Sequence, residues 1–449
     1  MLRRARQNAI ILAVAGAVTP SLRSIRGWSL FALLTVLVAL VGIGRALTSE
    51  RAAARPAPVP APARAQILAT GLGDGPRRID YEKLDGQFRR LVDEKDMVGL
   101  AVAIVENGQL SFVKGYGVTQ AGTDDPVGPR TVFRWASLSK GLAATLVTEL
   151  ANERKLSLDD PVGRYAPSLK LPGGAERTAT IRDLLSHRLG LVKNAYDDKL
   201  EEGIDPRLIR TELGSLPPYC KPGTCHAYQN VAYDAASEIV ETVTRQSYAT
   251  QARKRLFAPL GMDGASLTKA GLEASPSWAR PHRGRHMLNV EDAYYRIPAA
   301  GGMNSSIFDL GLWMRAQMGM VPAVLPDRVL AALHAPLVNT DGTRRRVSAY
   351  DRAMSDASYG LGWREFHYDG HALVGHRGAV SGYRSLILFD PAMKAGIAML
   401  WNSESPRPVA AQMEVLDMLY QRPAHDWLEL GKTPRLAVDN RRGGSRSAR

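Results

Sequence analysis

Apolar positions recur along this chain at two periods, and the changes of period divide it into segments. Over residues 80–95 the spacing is helical and predicts a first amphipathic helix. Gly99–Val105 and Gln109–Tyr116 flank Asn107-Gly108, two residues that tolerate the positive φ angles of a tight turn, so a hairpin is expected there. From Val132 onward Leu138, Leu142, Leu146 and Leu150 return every four residues, the mark of a helix with one buried face. Helical patterning and loops continue to residue 330. Tyr383–Phe389 and Ala395–Trp401 then read as strands, and 407–421 as a closing helix. Strands at both ends with helices between predict an α+β fold, a mostly antiparallel sheet flanked by helices with an inserted helical subdomain.

The first residues follow another pattern. Gly27–Gly44 carries no charge over 18 residues between Arg26 and Arg45, and as a helix it would be about 27 Å long, near the lower limit for a membrane span. It is either a transmembrane anchor or the core of a signal peptide. The absence of a small-x-small site directly after it favours the anchor. The expected order is a basic segment over 1–27, the span over 28–44, an Ala/Pro-rich linker over 45–78, the folded domain over 79–431 and a basic tail over 432–449. Charge agrees with this division. Of the net +14, residues 1–65 hold +8 and residues 432–449 hold +5, which leaves the folded part near neutral. Nucleic-acid binding needs a basic stripe on the folded surface, and this charge count gives it no support, whereas the N-terminal arginines suit membrane phosphates.

Cys220 and Cys225 are the only cysteines, and Lys221-Pro-Gly-Thr224 between them can turn the chain back into disulfide range. They are a candidate disulfide, or two free thiols in a reducing compartment. A disulfide would place the domain in an oxidising space. No regular second ligand pair accompanies His226 to make a zinc site. His282 and His286 have ligand-like spacing, but Pro281 and Gly284 argue against a helix there, so both are read as surface residues.

Chemistry enters at Ser137-Leu-Ser-Lys140. A hydroxyl and an amine one helical turn apart can meet, and helix-start N–H groups favour developing negative charge. Ser266-Leu-Thr-Lys269 has the same spacing but no periodic helix behind it. Further on stand Tyr228-Gln-Asn230 and Gly375-His-Arg-Gly-Ala-Val-Ser-Gly-Tyr383. With Ser137–Lys140 these resemble, in order, the S-x-x-K, Y-x-N and K/H-x-G motifs of the serine beta-lactamase and penicillin-binding superfamily, in its class C and D-alanyl-D-alanine carboxypeptidase-like branch. Ile181–His187 with Gly190-Leu191, Pro259–Met262, Gly301–Met303 and Tyr359–Trp363 resemble the same branch.

The resemblance implies that Ser137 is acylated while Lys140 and Tyr228 share the proton work. A tyrosine is a poor base until nearby cations favour its phenolate, and Lys140 could supply that charge. Asn230 would hydrogen-bond the substrate amide or Lys140. His376 would stand where a class C beta-lactamase has lysine, which favours the carboxypeptidase and esterase members. Gly378 would let the substrate backbone approach, and the Ala379 N–H would complete the oxyanion hole. Arg377 should point away, His187 reads as structural, and Trp363 as lining the cleft or as core. No metal or organic cofactor is implied. The expected protein is a beta-lactamase-related serine hydrolase acting on a small-molecule or peptide substrate that is a D,D-peptide, an ester or a beta-lactam. It would sit in a bacterial inner membrane with its domain in the periplasm; secretion after signal cleavage and a mitochondrial location are the other placements. A different reading of the same fold is a penicillin or peptidoglycan sensor that acylates and hardly turns over.

Overall fold

Asp80 opens the first helix, α1 (Tyr81–Val92), by accepting the Lys83 N–H at 2.9 Å, which satisfies a donor that a helix start leaves free. The structure is a computed structural model describing residues 76–343 and 348–430. The expected basic segment and span (1–44), nearly all of the linker and the tail lie outside the described residues. Among the described residues, no helix is long and apolar enough to cross a membrane.

The strands are β1 (Gly99–Glu106), β2 (Gln109–Gly117), β3 (Val132–Arg134), β4 (His282–Arg283), β5 (His286–Met287), β6 (Asn304–Ser306), β7 (Val338–Asn339), β8 (Ser355–Tyr359), β9 (Arg364–Tyr368), β10 (His371–Val380), β11 (Tyr383–Asp390) and β12 (Ala395–Trp401). Eight of them form one antiparallel sheet in the order β2-β1-β12-β11-β10-β9-β8-β7. The β1–β2 turn is the expected one, with Asn107 and Gly108 at φ 52° and 77°. The first strand and the last pair with each other, β1 lying between the edge strand β2 and β12.

Both faces of this sheet are covered. Leu100, Val102 and Ile104 of β1 pack in one core with Leu84 and Phe88 of α1 and with α6 (Ala411–Leu419); Ala101, Ala103 and Val105 face the other core, built with the central helical region. Alternate residues thus enter two different apolar layers, which is why β1 and β12 read as unbroken hydrophobic runs rather than alternating ones.

Helix α2 (Ser139–Asn152) departs from expectation in two ways. It begins two residues after Ser137, which lies instead in a 3₁₀ turn, Ala136–Leu138. It is also buried on every side from Ser139 to Leu150, because it runs between the sheet and the helical region rather than along the surface. Trp363 is core: it packs against Gly141, whose site would place a Cβ 2.8 Å from the indole ring. The short helices used below are α3 (Asp197–Glu201) and α4 (Pro298–Gly301), and α5 (Ile307–Gln317) packs beside β1.

Candidate active site

The turn that carries Ser137 is held from three sides. The Trp135 N–H donates to the Met303 carbonyl at 2.8 Å, and the Trp135 carbonyl accepts the Ser385 hydroxyl of β11 at 2.6 Å. Ser139 Oγ donates to the Ala136 carbonyl at 2.6 Å and accepts the Met303 N–H at 3.0 Å. Between these tethers Ala136 takes φ 50°, a left-handed conformation that is strained for a residue with a Cβ. The strained link turns Ser137 outward. From Thr131 to Leu150 every residue is buried except Ser137.

Lys140 is fully buried and its amine faces three oxygens. It lies 2.8 Å from Asn230 Oδ1, 3.0 Å from the Ala300 carbonyl of α4 and 3.5 Å from Ser137 Oγ. Two of these oxygens can only accept, so they orient two N–H bonds. The third direction points at a hydroxyl that can either accept from an ammonium or donate to an amine. Asn230 is engaged at both ends, because its Nδ2 donates to Asp197 Oδ2 at 2.7 Å. Asp197, on α3, fixes which way the amide faces. Its other oxygen, Oδ1, is buried without a partner, and burial raises its carboxyl above the usual range. Of the two partners expected for Asn230, the structure supplies Lys140.

Tyr228 lies against the same nitrogen, with Lys140 Nζ 4.7 Å from its ring centroid. Its backbone carbonyl accepts the Asn194 N–H at 2.8 Å. The loop before it is pinned twice. Cys220 and Cys225 are joined by a disulfide, their Cα atoms 6.4 Å apart. The Tyr219, Gly223 and Ala227 N–H groups donate to the Gly190, Arg188 and His187 carbonyls at 2.8–2.9 Å. Gly190, at φ 78°, permits this approach, since a Cβ there would lie 2.3 Å from the Cys220 carbonyl oxygen. His187 is buried, in keeping with a structural role, and its ring lies tilted against that of Tyr228, the centroids 4.3 Å apart.

β10 brings the third motif to the Ser137 turn. β9 pairs with β10 only over His371–Gly375, so from His376 onward β10 has β11 on one side alone. Ala379 pairs with Arg384 next to the closing pair Val380–Tyr383, and antiparallel alternation aims its N–H toward the unpaired side. Arg377 turns outward to Asp351 at 3.0 Å. The other two residues of the motif are engaged within the protein. Gly378 is required by packing inside the protein: a Cβ there would lie 2.2 Å from Ser385 Oγ and 2.3 Å from the Trp135 carbonyl oxygen. His376 is buried and bonded to Tyr359 at 3.1 Å, and burial, with Arg364 and Lys140 nearby, pushes its ring well below the usual imidazole range.

Elsewhere the structure closes other possibilities. Ser266 accepts the Asn304 side-chain N–H at 3.0 Å and Lys269 faces Asp292, so the second S-x-x-K is structural. His286 is exposed as expected, but His282 is fully buried, tying the Ala121 N–H to the Asn402 carbonyl. Asp197, the Ala300 carbonyl and Arg364 reach the site without a signal in the sequence, and Tyr359, which opens one of the segments resembling the family, reaches it without a role having been read for it. Arg364, half-buried, lies 5.3 Å and 5.9 Å from the ring centroids of Tyr359 and Tyr228.

Comparison with known proteins follows from this geometry. The chain is 25% identical over 361 residues to the unguisins hydrolase ungD of Aspergillus violaceofuscus, covering 74% of this chain and 63% of that one. It thus spans less than two thirds of that relative's length. The octameric penicillin-binding protein homologue from Pyrococcus abyssi superposes with a TM-score of 0.68 at 25% identity, over 77% of this chain and 78% of that one. The D-alanine carboxypeptidase AmpC from Burkholderia cenocepacia shares the fold, with a TM-score of 0.60 at 23% identity over 75% of this chain and 98% of that one. The beta-lactamase family model matches residues 84–421, well over half of the sequence and all the elements that build the site. With its sheet, its central helix and the ordered Ser137–Lys140, Tyr228–Asn230 and His376–Gly378 motifs, this chain belongs to the beta-lactamase family.

Proposed function

We propose that this protein is a serine hydrolase that opens an amide or an ester through an acyl intermediate on Ser137. The observation that carries the reading is the set of acceptors around Lys140. With Asn230 Oδ1 and the Ala300 carbonyl taking two N–H bonds, an uncharged Lys140 has its lone pair directed at the Ser137 hydroxyl. Ser137 Oγ would bond to the substrate carbonyl carbon as its proton passes to Lys140. The oxyanion would be received by the Ser137 and Ala379 N–H groups. As the bond to the leaving nitrogen or oxygen breaks, the proton passes to that atom. Tyr228, whose hydroxyl has no hydrogen bond among the described residues, is the group proposed to convey it. Water then adds to the acyl carbon, its proton follows the same route back to Ser137 Oγ, and the acid product leaves.

Histidine at position 376 supports a D,D-peptide or ester substrate over a beta-lactam, and a relative named as a hydrolase agrees with turnover rather than sensing. The N-terminal apolar segment and the Cys220–Cys225 disulfide support a membrane-anchored protein with its domain in an oxidising space such as the periplasm.

The test is incubation of the full chain and of Ser137→Ala with nitrocefin, a p-nitrophenyl ester and a D-alanyl-D-alanine peptide, reading turnover and intact mass. Ser137-dependent release of one product is expected. An adduct without turnover means a sensor, and full turnover by Ser137→Ala overturns the acyl-serine reading.

A further inference from the structure

Three buried side chains behind Tyr228 form a chain of hydrogen bonds whose direction is set at both ends by the backbone. At one end the Gln229 N–H donates to His187 Nδ1 at 3.1 Å. A backbone N–H can only donate, so His187 Nδ1 carries a lone pair and, in the uncharged ring, the proton is on Nε2. At the other end His376 Nδ1 lies 2.8 Å from the Arg377 carbonyl. A carbonyl can only accept, so this nitrogen carries its proton and Nε2 has the lone pair. The Tyr359 hydroxyl sits between, 3.1 Å from His187 Nε2 and 3.1 Å from His376 Nε2. One assignment satisfies every atom: His187 Nε2–H donates to Tyr359, Tyr359 O–H donates to His376 Nε2, and His376 Nδ1–H donates to the Arg377 carbonyl.

Resting on the acyl-serine reading above, we propose that Tyr359 is a positioning residue, which holds His376 uncharged and oriented beside the site so that this strand edge presents backbone donors and no histidine cation to the substrate. The physical reason lies in the proton count. A proton added to His376 Nε2 would give Tyr359 two donors to accept from, and would strand its own hydroxyl proton among buried groups. The surroundings act in the same sense. His376 faces Arg364, Lys140 and Arg377, and His187 faces Lys140, His226, Arg364 and His376. The tyrosines around the relay are Tyr228 and Tyr233, each tilted against the His187 ring with centroids 4.3 Å and 4.9 Å away. All the charged groups among these are cations. Phenylalanine at 359 would keep the ring and its packing but remove the hydroxyl, so that a proton on His376 Nε2 would no longer strand another one, while burial and the cations continue to oppose it.

The consequence concerns substrate choice. With His376 locked, the preference between an anionic and a neutral ester does not change as the pH falls through the histidine range. Without the lock, acid adds a cation at the site and favours the anionic ester. The experiment is ¹⁵N NMR of the full chain labelled at histidine, with His376 and His187 assigned by His376→Gln and His187→Gln. Between about pH 5 and pH 8, where a histidine ordinarily titrates, wild type should show His376 as the Nδ1–H tautomer and His187 as the Nε2–H tautomer, neither one titrating. Tyr359→Phe should keep His376 as the Nδ1–H tautomer held by the Arg377 carbonyl, lose the shift of a hydrogen-bonded lone pair at Nε2, and take up its proton at a higher pH than wild type when the range is extended downward, with the kcat/KM ratio for an anionic over a neutral p-nitrophenyl ester rising in step. A wild-type His376 that is protonated, or is the Nε2–H tautomer, overturns the proposal, as does a Tyr359→Phe protein in which His376 is unchanged. The tautomers are read without substrate, so failure of the acyl-serine reading appears in the Ser137 adduct assay and failure of this one in the spectra.

Discussion

Replacing Gly378 by alanine separates two reasons for a glycine in the third motif. If the residue is small so that substrate can approach, the variant should bind substrate less well and keep a competent nucleophile. The structure gives a different reason, since the added Cβ would lie 2.3 Å from the Trp135 carbonyl oxygen and 2.2 Å from Ser385 Oγ. Ordinary contact is near 3.5 Å, so the parts must separate by about 1 Å. Ser385 can rotate, at the loss of its 2.6 Å bond to that same carbonyl. The carbonyl itself can move only with the turn that holds Ser137. Overpacking of this kind costs about 1–3 kcal/mol of stability, and a displacement of about 1 Å at a nucleophile costs about 100-fold in rate. Burst kinetics with p-nitrophenyl acetate and with a D-alanyl-D-alanine peptide, beside thermal unfolding, measure both. Acylation by the small ester should fall as steeply as acylation by the peptide, and adding Ser385→Ala should restore only part of it. Wild-type acylation by the small ester with loss confined to the peptide would refute this reasoning.

Three further outcomes are expected. Ser139→Ala strands the Met303 N–H and leaves the Ala136 carbonyl with the Ser139 backbone N–H alone, and should cost about 1–3 kcal/mol in denaturant unfolding while the acyl adduct stays on Ser137 by mass mapping. Asp197→Ala frees the Asn230 amide to turn away from Lys140 and also removes a buried oxygen without a partner. It should slow acylation about tenfold or more without lowering the melting temperature, and an unchanged acylation rate would exclude Asp197 as the group that orients Asn230. Glu149, on α2, is pushed up to about 8 by burial, with Glu153 adding to the effect and Arg255 opposing it. Because its pKa is raised on folding, its contribution is fully present below the ordinary carboxyl value and is lost as the pH rises through about 8. Glu149→Gln should therefore gain stability over wild type at alkaline pH, by no more than about 5 kcal/mol, and the difference should vanish in melting curves taken in acid.

Local chemistry made much of this protein legible from its residues alone. The Asn107-Gly108 turn, the helix start at Asp80 and the apolar runs of β1, β11 and β12 each follow from rules that act over a few residues, as does the meeting of Ser137 and Lys140. The ordered motifs carried the family. What depended on residues distant in sequence was not legible. Asp197 and the Ala300 carbonyl stand in ordinary segments, Tyr359 in a segment that marked the family without indicating a role, and they become part of the site only because α3, α4 and β8 converge on Lys140 and His376. Short strands such as β7 and β9 draw their pairing from neighbours rather than from their own pattern. The same limit explains the corrections. A glycine in a motif shows that something approaches closely, and only the packing of β10 on the Ser137 turn identified that neighbour as the protein itself. A histidine in sequence has two tautomers and a charge to choose from. His376 has that choice made for it by a backbone carbonyl, a tyrosine and burial, which only the tertiary structure brings together.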